Sequence, residues 1–368
     1  MIYENLSINA LNVDLNLIHQ MDNHEIQTKP SDLKSIKKNW YKVFSCFSCG
    51  GGSSMWYKNA WYEIIWTCEI DPEMDDVYQT NFPTKYHYLM WVQEFKKIKD
   101  LPSYLFDIDL LDWSPPCSTF STAWLREKGR WKEKVFREWQ AKQVLSDLFF
   151  DYLDIVERLH PKVVVAENVK WMLKWNAKWY LKMIFERFSD LWYSVQLFCL
   201  NGATMWLPQK RERVFFVAHR KEFNLPKLKL EFNEPLIPFK EIHDHSWAVD
   251  RPVQESVRIR IQYAKYWDSD LSVADKRYRW WNAFFNDTRI YDDKVCPTIT
   301  AQDKTLVRWE NRFLNNSELI LAWSFPQDYN FKQIQPTYLI WMSVPPLMMF
   351  NVSNEIKKQR LDLIYNKS

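Results

Sequence analysis

Residues 47–66 read FSCGGGSSMWYKNAWYEIIW. The run just before, YKVFSCF (41–47), is apolar and of strand length, and Gly50, Gly51 and Gly52 follow it, with Ser53, Ser54 and Met55 opening a helix. A strand that passes through glycines into a helix lets backbone N–H groups approach a ligand. YEIIWTCEI (62–70) is the next strand. It ends at Glu69, about 20 residues on, where an acid can hold ribose hydroxyls. A glycine turn at a strand end is often only a turn, so the reading depends on what surrounds it.

Outward from this stretch the chain alternates strand and helix. YLFDIDLLDW (104–113) reads as a third strand, ending in SPPC. Residues 137–160 carry Val144, Leu145, Leu148, Phe149, Tyr152, Val156 and Leu159 at helical spacing. KVVVAEN (162–168) is a buried strand, KWYLKMIFERF (178–188) a helix, and SVQLFCL (194–200) and RVFFVAH (213–219) are strands. The expected fold is α/β, a doubly wound Rossmann-like sheet. Residues 1–40 read as a polar leader, 41–219 as the catalytic and cofactor-binding domain, and 220–296 as a smaller irregular domain rich in Pro, Arg and Tyr. Residues 297–368 return to apolar patterning and to the first domain.

The balance of 47% hydrophobic and 26% charged residues is that of an ordinary globular protein, and a net charge of +3 permits a nucleic-acid partner without arguing for one. No basic start followed by a long apolar run opens the chain, and six scattered Cys suit a reducing compartment, so a cytoplasmic location is expected. Cys46 and Cys49 have CxxC spacing but no second pair, and His243 to His245 read as a polar loop. No metal is expected.

Three further segments carry chemistry. SPPCSTFS (114–121) puts Cys117 after Pro115 and Pro116 at a strand's carboxyl end, where a helix start would favour the thiolate. AENV (166–169) puts Glu167 and Asn168 at the end of the next strand, on the same edge. LPQKRER (207–213) spaces Arg211 and Arg213 so that both share one face of an extended segment.

FSCGGGSS, PPCSTFS, AENV, QKRER, NRFLNNSEL (311–319) and SVPPLM (343–348), in this order, resemble the cytosine-C5 DNA methyltransferases over about residues 42–219 and 296–350. The resemblance implies transfer of a methyl group from S-adenosyl-L-methionine to carbon 5 of a cytosine flipped out of double-stranded DNA. It implies Cys117 as nucleophile toward carbon 6, Glu167 as the acid on the ring nitrogen, and Arg211 and Arg213 beside the base and its phosphate. It places Phe47, Ser48, Gly50, Gly51, Glu69, Ile70 and Pro115 against the cofactor, and Asn168 as a support for the Cys117 loop. In MWVQ (90–93), Val92 stands where the family has an Asp. Residues 220–296 would read the DNA sequence, and Arg312 and Glu318 would organise that segment, although Asn315 and Ser317 depart from the family's Thr and Arg. A paired restriction endonuclease and monomeric action are further expectations. Two other readings stay open: an RNA cytosine-C5 methyltransferase, and a catalytically inactive DNA-binding homologue.

The composition holds one anomaly. Gly numbers 5 and Trp 21, together 26, which is about what average glycine usage gives for this length. In the family's patterns glycine stands where this chain has Trp56, Trp61, Trp113, Trp206 and Trp341, and Trp66, Trp171 and Trp192 sit at turn-like places. Indole cannot replace glycine without a cost on the order of 1–3 kcal/mol per site. The pattern is that of a gene whose UGA codons specify glycine, written out as Trp. Trp267, in KYWDSDL, is expected to be a true tryptophan. The competing reading is a Trp-rich contact surface.

Overall fold

The computed structural model describes residues 41–60, 62–114, 148–173, 178–246, 248–279, 287–300 and 305–367. They form two compact units, each described by itself.

The larger unit spans 41–201, 212–232 and 342–367 among the described residues. Its sheet contains β1 (Tyr41–Cys46), β2 (Tyr62–Glu69), β3 (Tyr86–Leu89), β4 (Leu110–Trp113), β5 (Val163–Val169), β6 (Tyr193–Asn201) and β7 (Glu212–Arg220). The strand order is β3-β2-β1-β4-β5-β7-β6. β7 alone runs antiparallel to its neighbours. The order reverses between β1 and β4, so their carboxyl ends flank the switch point where a doubly wound sheet binds ligands. The central strands are buried on both faces: all of β4 and the first six residues of β5 are buried. Helices pack on the two faces: α1 (Gly52–Asn59), α2 (Pro72–Asn81), α3 (Leu148–Leu159) and α4 (Lys178–Asp190). Asp71 caps α2, its carboxylate accepting from the Glu73 and Met74 backbone N–H groups, and Pro72 sits at the first helical position, where a missing N–H costs nothing.

Two local differences from the sequence reading stand out. Residues 104–113 are not one strand: a 3₁₀ turn covers Ser103–Phe106, and only Leu110–Trp113 pairs. Edge strand β3 has no apolar alternation strong enough to announce it. The amphipathic helix expected over 137–160 is seen over Leu148–Leu159, and its earlier part lies outside the described residues.

The smaller unit spans 202–211 and 233–341 among the described residues. It holds α5 (Glu255–Gln262), α6 (Leu271–Arg279), a three-stranded sheet β10-β9-β8 (β8 Thr288–Ile290, β9 Thr305–Val307, β10 Arg312–Phe313), α7 (Asn316–Ala322) and α8 (Pro336–Met342). The segment 297–341 belongs to this unit, while α9 (Pro346–Ile356) belongs to the larger one. The unit is pinned by a buried ionic network. Arg312 donates to both carboxylate oxygens of Glu318, at 2.7 and 2.8 Å, and also pairs with Glu310. His243 Nε2 lies 2.7 Å from Glu310. Asn315, a departure from the family pattern, caps α7 in a reciprocal box with Glu318.

The tryptophans fall into distinct environments. Trp192 and Trp206 have φ of +66° and +61°, two of nine non-glycine residues in the left-handed region among the described residues. That conformation costs about 1–2 kcal/mol for a side chain of this kind. Four tryptophans are buried among the described residues: Trp66, Trp113, Trp206 and Trp323. All four indole N–H groups lack a hydrogen-bond partner among the described residues, where a buried indole normally finds one and its loss costs about 1–3 kcal/mol. Trp66 is not at a turn. It lies inside β2, beside the register shift that pairs Val43 with Ile64 and Phe44 with Trp66, and its ring stacks with Tyr86 and Tyr104. Trp267 is 71% exposed. The side chains of Trp56, Trp61 and Trp171 lie outside the described residues.

Candidate active site

The loop after β1 bends through three left-handed residues, Phe47 (φ +56°), Cys49 (+45°) and Gly51 (+84°). Glu69, at the end of β2, fixes this shape. Its Oε2 accepts from Cys49 N at 2.8 Å, and its Oε1 accepts from Ile70 N and Asp71 N at 2.9 and 3.0 Å. Burial raises its pKa, against the lowering effect of the three N–H groups. The acid that the sequence assigned to a ribose thus also ties the glycine loop to the second strand. The glycines serve close packing. A Cβ on Gly51 would stand 2.8 Å from the Phe82 ring, and one on Gly52 would stand 2.7 Å from Ser343 Cβ and from the Val344 carbonyl. SVPPLM therefore closes on the loop that opens α1. Gly50 is buried in the same loop. Cys49 Sγ lies beside Met74 Sδ, and burial pushes the thiol up to about 12, so it stays protonated at neutral pH.

Sequence reading missed Asp112. It lies in β4, fully buried, and accepts from Ser45 Oγ of β1 at 3.0 Å and from Ser53 Oγ and Tyr57 OH of α1 at 3.2 and 3.1 Å. One carboxylate thereby joins both strands of the switch point to the helix between β1 and β2. Burial pushes its pKa up to about 6, although the three hydroxyls pull the other way. A serine at the end of β1, a Ser and a Tyr four apart in the next helix, and an acid before SPPC were the available signal.

Trp113 pairs with Ala166 across β4 and β5, so Ser114 and Glu167 are the next residues on each strand toward the carboxyl edge. Glu167 is buried, and its Oε1 lies 2.9 Å from Arg213 Nε. β7 presents Arg213 opposite Val169, so the antiparallel strand brings a cation to the end of β5. Asn168 accepts from Val169 N through Oδ1, and its buried Nδ2 has no partner among the described residues. Arg211 belongs to the smaller unit, where its guanidinium lies 3.7 Å over the Trp323 ring. Arg211 and Arg213 therefore meet different partners, Trp323 and Glu167. Cys117 and Pro115 lie outside the described residues. Val92, buried, begins a one-turn helix (Val92–Phe95).

A nucleoside-type ligand suits the edge formed by β1, β2 and β4. Ser48 Oγ and Ser114 Oγ, at the ends of β1 and β4, are buried hydroxyls without a protein partner among the described residues. Phe47 is half-buried at the same end, edge-on to Trp113 at 6.0 Å.

Against this geometry, residues 41–358 match the family described as C-5 cytosine-specific DNA methylase. The chain is 26% identical over 324 residues to the Type II methyltransferase M.Bsp6I of Bacillus sp., covering 81% of this chain and 91% of that one. It is 26% identical over 351 residues to M1.HphI of Haemophilus parahaemolyticus, covering 85% of each. Among solved structures, a DNA modification methyltransferase encoded within an E. coli prophage aligns with TM-score 0.60 at 18% identity over 87% of this chain and 99% of that one. Spodoptera frugiperda DNMT2 aligns with TM-score 0.57 at 16% identity over 89% of this chain and 100% of that one. Both share the fold. The chain belongs to the C-5 cytosine-specific DNA methylase family, and its activity is methylation of carbon 5 of cytosine in DNA. No helix among the described residues is long and apolar enough to cross a membrane.

Proposed function

We propose that methyl transfer runs through a covalent adduct on Cys117, with Glu167 and the two arginines around the base. The observation that carries this reading is the buried Glu167–Arg213 pair at the carboxyl end of β5, beside the strand that leads into Cys117. Cytosine is a poor nucleophile at carbon 5. The Cys117 thiolate adds to carbon 6, and Glu167, held against Arg213, donates a proton to the ring nitrogen, so that carbon 5 gains enamine character. S-adenosyl-L-methionine supplies the methyl group. A base then takes the carbon 5 proton, the electrons of that C–H bond form the carbon 5–carbon 6 double bond, and the thiolate leaves. Arg211 polarises the carbonyl oxygen of the base.

Phe47, Ser48, Gly50, Gly51, Glu69, Ile70 and Pro115 form the cofactor pocket, and the unpartnered Ser48 hydroxyl supports this. Residues 220–296 read the DNA sequence, with the Arg312–Glu318 network holding them in shape. The relatives named Type II methyltransferases favour a role beside a restriction endonuclease, and the protein acts in the cytoplasm as a monomer. Incubation with genomic duplex DNA and cofactor, followed by single-base mapping of 5-methylcytosine, tests the reading. Methylation confined to one short sequence context is expected. Methylation of RNA with none in DNA would move the substrate to RNA.

A further inference from the structure

Trp192 and Trp206 adopt a backbone conformation that suits glycine, and Trp206 and Trp113 bury an indole N–H that finds no partner among the described residues. We propose that positions 113, 192 and 206 are glycine in the protein its own cells make, because UGA is read there as glycine.

Position 192 ends α4. Leu191 N and Trp192 N donate to the carbonyls of Arg187 and Ser189, and the Trp192 carbonyl accepts from Lys221 N, so the turn is fixed on both sides. It is the left-handed residue that closes a helix, the site where glycine is most favoured. The indole itself projects outward, 61% exposed, with Lys221 Nζ 4.9 Å over its ring, and an exposed cation–π contact of about 0.5–1 kcal/mol does not offset the left-handed backbone. Position 206 lies in the connection between β6 and β7. Met205 N and Leu207 N both donate to the Gly202 carbonyl, which wraps the chain tightly around residue 206. Its indole is buried, its φ is positive and its N–H is unpaired. Each feature disfavours tryptophan, and the backbone at this turn favours glycine.

Position 113 is the last residue of β4, at the switch point, directly before Ser114 and the Pro-Pro-Cys segment. Its ring is wedged among Phe47, Phe149 and Tyr152. A glycine there would let the backbone come close to a ligand beside Phe47. Trp66 and Trp323 are different cases despite their unpaired N–H groups: Trp66 lies in the middle of β2 rather than at its carboxyl end, and Trp323 carries the Arg211 guanidinium. The composition fits the same account, since 5 Gly and 21 Trp together make 26, an ordinary glycine number for this length at about 7%.

The decisive experiment is peptide mass spectrometry on the protein isolated from its natural source. Glycine at 113, 192 and 206 is expected, and tryptophan at 192 or 206 overturns the proposal. A second measurement uses the tryptophan-containing chain. Trp192→Gly and Trp206→Gly should each raise the melting midpoint by about 2 °C or more. Trp192→Ala removes the indole but keeps a Cβ in the left-handed region, so it should fall short of Trp192→Gly. Equal midpoints for the Ala and Gly variants would show that the backbone is indifferent at this site and would count against glycine there.

Discussion

Arg213 Nε lies 2.9 Å from Glu167 Oε1, joining the carboxyl end of β5 to the amino end of the antiparallel strand β7. Both side chains are largely buried, and the contact holds the Glu167 carboxyl group in place at the end of β5. Glu167→Gln keeps the shape and removes the proton source. It should lower kcat by about 10²–10⁴-fold while leaving cofactor affinity unchanged. Arg213→Lys should retain more activity than Arg213→Ala, because one donor still reaches Glu167. Steady-state kinetics with a separate cofactor titration checks both, and full activity in Glu167→Gln would remove Glu167 from the chemistry.

Glu69 holds three backbone N–H groups, and one of them belongs to the loop that opens α1. Glu69→Gln turns an N–H toward a donor it formerly accepted from. A loss of about 1–3 kcal/mol is expected, which is roughly a 5- to 150-fold weaker dissociation constant for S-adenosylhomocysteine. Calorimetric titration reads this directly, and an unchanged constant would free Glu69 of the role.

Asp112 gives a pH-dependent signature. Its pKa rises from 3.8 to about 6 in the fold because burial disfavours the charge. A carboxyl group raised on folding stabilises most below its unfolded pKa, and that contribution is lost as pH rises through the folded value. The window is therefore about pH 4 to 6. His219, buried and lowered to about 4, works in the opposite sense between 6.5 and 4, so only the difference between proteins is diagnostic. Asp112→Asn should show no loss of stability attributable to this site as pH rises from 4 to 6, while the parent does. Denaturant unfolding at several pH values, with parallel profiles as the contrary result, decides it.

The Arg312 network tests the smaller unit. Arg312→Ala leaves Glu318, fully buried, and Glu310 without the guanidinium that joins them. A destabilisation of about 3–5 kcal/mol is expected. It should appear as earlier unfolding of this unit by hydrogen exchange, with β1 to β7 protected as before.

The sheet was legible in the sequence because its strands are short apolar runs that end at chemistry-bearing residues, as VVVAEN does at Glu167. Residues 104–113 misled because Leu105, Phe106 and Ile108 supply apolar content without pairing; Leu105 and Ile108 are buried beneath a 3₁₀ turn instead. The Glu167–Arg213 pair was half visible: proximity on one edge followed from strand order, but the contact needed β7 to run antiparallel. The split of Arg211 and Arg213 between two partners could not be read from their spacing. The Asp112 network was present in the sequence only as separate residues 55 to 67 positions apart, and nothing local joined them. Gly51 and Gly52 were recognised as a loop that approaches a ligand, but the close neighbours that require them are Phe82 and Ser343, one of them nearly 300 residues away in sequence.

The central claim is that Cys117 attacks carbon 6 of a cytosine in duplex DNA. Duplex DNA carrying 5-fluorocytosine tests it most directly, because fluorine at carbon 5 cannot leave as a proton and the enzyme stays attached. The protein is mixed with this DNA and S-adenosylmethionine, both as the tryptophan-containing chain and with glycine at 113, 192 and 206, beside Cys117→Ser. A denaturation-resistant protein–DNA adduct that disappears in Cys117→Ser is the predicted result. No adduct from either form, in protein shown to be folded and to bind the cofactor, would contradict the account.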